Sequence, residues 1–251
     1  MATVILKITG IAILTMIVIP TCWIVNFTGS ASTTLRVSQI YFRLVALVVG
    51  VRVQAHGQLN AVRPLLVVSN HISYLDIIAL SAAAPLTYTP KAEIAGWPVL
   101  GLCCRLIGCV FVDRRRTKTK ENMDNIHQGL KDGKPLVLFA EGTTGNGKHM
   151  LPIRSSYFQL VESFDEPISV QPVLIRYERV CGLPLDETIR HKIAWVGDEE
   201  LGPHAKELLQ LGPIDVSIHF LDSVDLSSCK NRKDMAKKCE EKLLSAIASL
   251  P

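Results

Sequence analysis

The chain has 251 residues, which is enough for one substantial α/β domain with its own hydrophobic core. Apolar residues make up 48% of it and charged residues 20%, and these proportions exclude an intrinsically disordered chain. The net charge of +4 is too small to indicate a nucleic-acid partner. The first acidic residue is Asp76, and five basic residues precede it. An apolar, purely basic first quarter is typical of a chain that contacts an anionic membrane surface.

The N-terminal segment is predicted to enter a membrane. Residues 8–27 carry no charge, and as a helix they would extend about 30 Å, the thickness of a bilayer core. One span and a shallow re-entrant hairpin both fit this pattern, whereas the length of the apolar run disfavours a cleaved signal peptide. The basic flank after this helix places the rest of the chain in the cytoplasm.

A second apolar stretch covers residues 35–53, where Arg36, Gln39 and Arg43 share a narrow polar stripe. We interpret it as an amphipathic helix lying at the membrane interface, and a core helix of the soluble part is the alternative. The predicted division is therefore an N-terminal segment, residues 1–56, followed by one domain, residues 57–251.

Strand and helix patterns alternate after residue 64. The predicted strands are 65–68, 110–112, 136–139, 168–175 and 216–220, and the predicted helices are 76–84, 99–106, 117–131, 155–163, 204–211 and 233–250. This alternation predicts an α/β fold with a mixed, largely parallel central sheet flanked by helices. Ligands of such sheets bind beyond the carboxyl ends of the strands, where polar clusters follow in this sequence. The seven cysteines are odd in number and lack metal-site spacing, so we predict reduced thiols and no metal site.

The first cluster contains His71 and Asp76, directly after the strand 65–68. Five residues on one helix are about 140° apart, so the two side chains can meet only if His71 lies in the turn before the helix. Ser73 and Asp76 have capping-box spacing, which would start a helix there. A carboxylate on one ring nitrogen would leave the other nitrogen free as a base. A helix cap beside a structural turn histidine is the alternative.

Two further clusters follow later strands. Asp113 and Arg114 begin a basic run whose guanidinium groups suit a phosphate or a carboxylate. Glu141 opens a glycine-rich loop in which residues 142–148 have the spacing of a phosphate-binding P-loop. His149 stands where that motif needs Ser or Thr, and Pro152 follows where its helix would run. A polar loop without a ligand is the other alternative.

Together the clusters resemble the conserved blocks of the glycerolipid acyltransferases, which include the lysophosphatidate acyltransferases. The family blocks are N-H-x-x-x-x-D, a strand ending in Asp-Arg, F-P-E-G-T-R-S and V-P-V. In family order, the matching residues here are Asn70, His71 and Asp76, then Asp113 and Arg114, then Phe139, Glu141, Gly142 and Thr143, then Pro172 and Val173.

The resemblance implies transfer of a fatty acyl group from acyl-CoA or acyl carrier protein to a lysolipid hydroxyl, in phospholipid biosynthesis. His71 would be the general base, and Asp76 would orient it. The acceptor head group would be bound by Arg114, Glu141, Gly142 and Thr143. The resemblance implies no cofactor beside the acyl donor, with membrane lipids, the lysolipid and the donor as partners. The expected location is the cytoplasmic side of the inner (plasma) membrane.

The third block departs from the family pattern at one charged position. Thr144 replaces an arginine that in the family helps to bind the acceptor phosphate, and Lys148 or Arg154 would be nearby substitutes. This loop also resembles the branch that acylates lyso-ornithine lipid. A 1-acyl-sn-glycerol-3-phosphate acyltransferase is therefore the first hypothesis and a lyso-ornithine lipid O-acyltransferase the second. An inactive membrane-anchored lipid-binding protein is the alternative from another class.

Overall fold

A computed structural model describes residues 1–29, 31–113, 119–164, 166–197 and 199–250. The helices are α1 (Ala2–Thr28), α2 (Ala31–Val49), α3 (Leu75–Ala83), α4 (Pro98–Leu106), α5 (Thr119–Lys131), α6 (Gln159–Glu162), α7 (Glu187–Ile193), α8 (Leu201–Gln210) and α9 (Arg232–Ser249). The strands are β1 (Val51–His56), β2 (Leu65–Ser69), β3 (Thr87–Tyr88), β4 (Leu136–Phe139), β5 (Ser169–Val180), β6 (Leu183–Pro184) and β7 (Ile214–Phe220).

The strands form one sheet in the order β1-β7-β5-β2-β4-β3, with β6 paired to β5. β2 runs parallel to both β5 and β4, β4 runs parallel to β3, and β1 runs parallel to β7. β5 is antiparallel to β6 and β7. The prediction of a mixed, largely parallel sheet flanked by helices is confirmed.

Hydrophobic side chains fill the space on both faces of this sheet. Side chains alternate along a strand, so Leu65 and Val67 enter one core while Leu66 and Val68 enter the other. The first core includes buried residues of α2, α3 and α8, and the second includes buried residues of α5 and α9. All five residues of β2 are buried because helices cover both of its faces. This strand therefore gives the site a rigid base.

The first helix, α1, is held by the domain near both of its ends. The Lys7 ammonium donates to the Leu209 carbonyl at 3.0 Å, at the end of α8. The Asn26 amide donates to the Leu106 carbonyl at 2.8 Å, at the end of α4. These two anchors are about 28 Å apart along the helix axis. By length and composition α1 is apolar enough to cross a membrane, but it lies along the domain rather than projecting from it.

The second helix, α2, packs on the domain as a core helix would and also exposes apolar side chains as an interfacial helix would. The side chains of Gln39 and Arg43 each donate to a carbonyl at the end of α3 at 3.0 Å, so two members of the polar stripe cap that helix. Ile40 and Leu47 on α2 are nevertheless 58% and 74% exposed. The helix ends at Val49, and residues 51–56, which the sequence assigned to the N-terminal segment, form a strand of the sheet.

Two predicted elements are wrong in detail. The predicted strand 110–112 makes one isolated bridge, between Val112 and Lys91, within the described residues. The predicted helix 155–163 is a 3-10 turn, Ser155–Phe158, followed by the short helix α6. Three strands (β1, β3 and β6) and the helix α7 were not predicted. Strands β3 and β6 have two residues each, which is too short for a periodic pattern.

Candidate active site

The polar clusters after β2 and β4 meet because these strands are parallel neighbours. The backbone N–H of His71 donates to Glu141 Oε1 at 3.2 Å. The N–H of Gly145 donates to the His71 carbonyl at 2.7 Å. The glycine-rich loop therefore holds the peptide groups on both sides of His71.

His71 and Asp76 form a hydrogen-bonded pair at this edge of the sheet. The distance from His71 Nδ1 to Asp76 Oδ2 is 2.8 Å, and the two side chains are 19% and 0% exposed. Because α3 begins at Leu75, His71 lies in the preceding turn and Asp76 in the first helical turn. The imidazole stacks on Phe139 with ring centroids 3.8 Å apart. Since Nδ1 is engaged by Asp76, Nε2 is the ring nitrogen left for chemistry.

The Asp76 carboxylate is surrounded by hydrogen-bond donors. Its Oδ2 accepts the backbone N–H groups of Ile72 at 2.6 Å and Ser73 at 3.0 Å, and its Oδ1 accepts the Tyr177 hydroxyl at 2.6 Å. The Ser73 hydroxyl accepts from the N–H of Leu75 at 3.4 Å, so only the carboxylate half of the expected capping box is present. These donors stabilise a buried negative charge and fix the carboxylate against the imidazole.

Tyr177 is a site residue that the sequence analysis missed. It lies on β5 and is buried, and its hydroxyl reaches Asp76 across the sheet edge. Burial, together with the neighbouring Asp76 charge, raises the pKa of Tyr177 well above its ordinary value. The phenol therefore remains a hydrogen-bond donor. A tyrosine within a buried strand gives no signal in a single sequence, because core packing explains it equally well.

We expect Tyr177→Phe to lower kcat/KM about tenfold, with the loss in kcat rather than in KM. Without the phenol, Asp76 Oδ1 loses its donor, and the carboxylate is held less firmly against the imidazole. The matched control is Tyr88→Phe, because the Tyr88 hydroxyl is also buried but bonds to Ser81 at 2.7 Å. A kcat of folded Tyr177→Phe equal to that of the wild type would contradict a positioning role.

Glu141 is buried directly beneath the pair. Its residue is 3% exposed, and burial raises the pKa of its carboxyl to about 7, with a smaller contribution from the Asp76 charge. Its carboxylate accepts the backbone N–H groups of His71 and Leu151, and those bonds oppose the rise. Glu141 therefore stabilises the turn that contains His71.

The Glu141 carboxyl should make stability pH-dependent. Its pKa is higher folded than unfolded, so the stabilising contribution is complete below the unfolded value and is lost as the pH rises through about 7. We expect the urea midpoint to fall between pH 5 and pH 8, and Glu141→Gln to reduce that fall. Glu162→Gln, on α6, serves as the control. An equal pH dependence in wild type and Glu141→Gln would contradict the assignment.

The other two residues of the Glu-Gly-Thr turn, Gly142 and Thr143, face neighbours other than the His71–Asp76 pair. Gly142 has φ +77°, and a Cβ there would lie 2.9 Å from the Tyr157 hydroxyl and 3.2 Å from Arg154 Nε. A side chain at residue 142 is therefore strained by both the backbone and the contact. Thr143 is exposed, and the structure does not bring it to the cleft described next. Arg114 lies outside the described residues.

A cleft of about 350 Å³ opens beside His71. It is bounded by the glycine-rich loop, by β5 beyond its pairing with β2, and by α7. Besides Tyr177, its charged and titratable lining consists of His71, Glu141, Lys148, His149, Arg176, Glu178 and Arg190. The last three were not predicted as site residues, because they fall outside the motif blocks.

Comparison with known proteins identifies the family of this chain. The model of the family described as Acyltransferase matches residues 50–176. The chain belongs to this acyltransferase family. It is 37% identical to a lyso-ornithine lipid O-acyltransferase of Brucella abortus (strain 2308), over 85% of this chain and 82% of that protein. It is 29% identical to a 1-acyl-sn-glycerol-3-phosphate acyltransferase of Neisseria gonorrhoeae, over 73% of this chain and 69% of that protein.

The fold of this acyltransferase also matches a solved structure. The 1-acyl-sn-glycerophosphate acyltransferase from Thermotoga maritima superposes with a TM-score of 0.70, covering 98% of this chain and 97% of that one. The sequence identity is 17%, so this likeness supports the fold alone. The predicted family membership and enzyme class are confirmed.

In this acyltransferase the Thr144 side chain makes a structural contact with the segment around Trp195. Its hydroxyl donates to the Trp195 carbonyl, and the Trp195 N–H donates to the Ile72 carbonyl at 3.0 Å. The side chain at residue 144 therefore points to the segment before α8 and is absent from the lining of the cleft. Of the two suggested substitutes for the family arginine, Arg154 lies beside Gly142, and Lys148 lines the cleft.

The P-loop hypothesis is wrong for this acyltransferase. A P-loop passes directly into a helix whose N-terminus faces the phosphates. Here residues 148–154 are irregular, and the next helical turn begins only at Ser155. The loop instead serves the His71 turn through Glu141 and Gly145.

Proposed function

We propose that the enzyme transfers a fatty acyl group from a thioester donor to the hydroxyl group of a lysolipid, with His71 as the general base. The supporting observation is the pairing of His71 Nδ1 with the buried Asp76 carboxylate, which leaves Nε2 as the proton acceptor at the cleft. Asp76 is a positioning residue in this proposal, because it acts through the imidazole.

The proposed reaction is a direct displacement. His71 Nε2 takes the proton of the acceptor hydroxyl while the oxygen attacks the thioester carbonyl, forming a C–O bond. The C–S bond then breaks, and the leaving thiolate takes the proton from the imidazolium. The products are an ester and a free thiol, and the enzyme returns to its starting protonation state. Acyl-CoA and acyl carrier protein are both suitable donors for this chemistry.

Lyso-ornithine lipid is the acceptor we favour. Relatives that are 37% and 35% identical, from Brucella abortus (strain 2308) and Rhizobium meliloti (strain 1021), carry the name lyso-ornithine lipid O-acyltransferase. The orientation of Thr144 away from the cleft supports the same choice, because this position supplies no charge for a phosphate. Lysophosphatidate is the second candidate, supported by the Neisseria relative and by the guanidinium groups of Arg176 and Arg190 in the cleft.

The test is a product analysis with purified protein in lipid. Acyl-CoA and acyl carrier protein are offered separately as donors, each with lyso-ornithine lipid or lysophosphatidate, and lipid products are identified by mass. We expect diacylated ornithine lipid with an equal amount of free thiol. Free fatty acid without diacyl lipid would indicate a thioesterase instead. Lipid binding without thiol release from any donor would contradict the proposal and favour an inactive binding protein.

We also propose that the enzyme acts at the cytoplasmic face of the inner membrane. Large apolar side chains are exposed on α1, α2 and α4, and these three helices contact one another around Cys22, Tyr41 and Cys103. The exposed apolar residues of these helices include Leu6, Met16, Ile17, Trp23, Phe27, Ile40, Leu47 and Val99, and Trp97, directly before α4, is exposed as well. A surface of this kind is suited to the acyl region of a lipid leaflet.

This membrane surface predicts binding to liposomes. We expect the protein to float with phosphatidylglycerol-containing vesicles in a density gradient. The double substitution Trp23→Asp and Phe27→Asp should reduce the floating fraction at least about fivefold, because it puts charges into the apolar face. Leu183→Asp is the matched control, since Leu183 is 70% exposed on β6. Equal flotation of all three proteins would contradict the assignment of this surface.

A further inference from the structure

We propose that the cleft beside His71 is a subsite for an amino-acid head group, in which Arg190 binds a carboxylate and Glu178 binds an ammonium group. The inference rests on the proposed acyl transfer and names the acceptor class of the same site. An ornithine linked to an acyl chain through one amino group keeps its carboxylate and its other amine. The proposed ligand is therefore a zwitterion with one charge of each sign.

Arg190 presents an uncompensated positive charge to the cleft. It lies on α7 and lines the cleft, and one end nitrogen donates to the Gly147 carbonyl at 2.8 Å. Its other polar contact is a long one to the Leu185 carbonyl at 3.5 Å. No ion pair to Arg190 occurs within the described residues. A guanidinium held by carbonyls alone retains donors and full charge for a carboxylate.

Glu178 places a negative charge in the same cleft. Its Oε2 lies 3.3 Å from Arg176 Nε, and its Oε1 accepts the Ser217 hydroxyl at 2.6 Å. The glutamate side chain is 32% exposed, so part of its carboxylate remains open. A carboxylate has about four acceptor sites, and these two contacts leave room for an ammonium group.

The subsite is fixed relative to the proposed base. The Asn70 side chain, next to His71, donates to the Ile175 carbonyl at 2.9 Å and accepts the Ile175 N–H at 2.8 Å. This double hydrogen bond ties the His71 turn to β5 directly before Arg176. Glu178 follows two residues later on the same strand, and β7 supports it through Ser217. A head group held at Glu178 would therefore have a defined position relative to the reacting hydroxyl.

The charge pattern separates a zwitterion from a phosphate monoester. A phosphate dianion requires converging cations, and a carboxylate in the same cleft would repel it. Here Glu178 accompanies the arginines, residue 144 contributes no cation, and the Lys148 ammonium lies 4.0 Å from a Glu187 carboxylate oxygen. A ligand with one carboxylate and one ammonium group matches both signs. This arrangement favours an amino-acid acceptor over lysophosphatidate.

The first test uses the unaltered enzyme and three acceptors: lyso-ornithine lipid, the same lipid with its free amine acetylated, and lysophosphatidate. Acetylation removes the positive charge that Glu178 would bind. We expect kcat/KM to fall about 10- to 100-fold on acetylation, the range typical of one lost charge-assisted hydrogen bond. Equal kcat/KM for the free and acetylated amines would overturn the subsite.

The second test exchanges the two binding residues. We expect Glu178→Gln to lower kcat/KM for lyso-ornithine lipid about tenfold or more, while the value for the acetylated lipid stays unchanged. Arg190→Gln should lower kcat/KM for both ornithine lipids, because both keep the carboxylate. The charge-matched controls are Lys192→Gln, exposed on α7, and Glu207→Gln, exposed on α8. All variants are compared only after their thermal midpoints match the wild type.

The outcomes separate this inference from the proposed function. Wild-type acyl transfer with an equal effect of Glu178→Gln on the free and acetylated amines would overturn the subsite and leave acyl transfer standing. A wild-type preference for lysophosphatidate that Glu178→Gln leaves unchanged would do the same. Failure of the wild type to transfer acyl groups to every acceptor would contradict the proposed function itself.

Discussion

Replacement of His71 by alanine should reduce acyl transfer by about 10²- to 10⁴-fold, the usual contribution of a well-placed general base. The loss should appear in kcat, because the cleft beside the imidazole is otherwise unchanged and acceptor binding survives. The measurement is the steady-state rate of diacyl lipid formation, followed by mass, together with acceptor binding to the variant.

The matched control is His191→Ala, which removes an exposed imidazole on α7. Its rate should stay within about twofold of the wild type, since surface substitutions of this kind are generally small in effect. Stability should change little in His71→Ala as well, because the backbone groups of residue 71 make the bonds to Glu141 and Gly145. Substantial acyl transfer by the folded His71→Ala protein would exclude His71 as the base.

Asp76→Asn should have the second-largest effect, a fall in kcat of at least about a hundredfold. The amide oxygen can still accept from the backbone N–H groups of Ile72 and Ser73, so the fold is kept. The amide NH₂ group then takes the place of Oδ1 and faces the Tyr177 hydroxyl, from which it cannot accept a hydrogen bond. The neutral amide also stabilises the imidazolium that forms during proton transfer far less than the carboxylate does.

Asp76→Ala separates positioning from folding. It leaves the donors of Ile72, Ser73 and Tyr177 buried without an acceptor, and we expect a loss of at least about 2 kcal/mol in the free energy of unfolding. Asp225→Asn is the control, because Asp225 also accepts a backbone N–H and a hydroxyl from Ser227 but is exposed. Near wild-type kcat in folded Asp76→Asn would show that the imidazole needs no carboxylate.

The sequence contained enough information for the centre of the fold and for the proposed catalytic pair. Strands 65–68 and 136–139 are short apolar runs bounded by polar clusters, and such runs are recognisable because central parallel strands are buried on both faces. The spacing of His71 and Asp76 admits contact only across the start of a helix. Their hydrogen bond follows from local geometry and needs no distant partner.

The residues that were missed depend on distant contacts instead. Tyr177 meets Asp76 across about a hundred positions of sequence, and nothing in the local pattern of β5 marks its hydroxyl. Arg190 belongs to a helix of seven residues, which is shorter than the window in which periodicity is visible. Strand β1 was missed because it follows the apolar helix α2 directly. The helix ends just before Gly50, which has a positive φ, but the sequence stays apolar on both sides of this residue, so no change of pattern marks the boundary.

The bonds between the glycine-rich loop and the His71 peptide argue against a gating role for that loop. A loop that swung open between turnovers would break the bonds from Gly145 and to Glu141, and would release the imidazole from its place each time. Its glycines therefore serve close packing rather than motion. Turnover should then be limited by chemistry or by product release, not by closure of this loop as a lid.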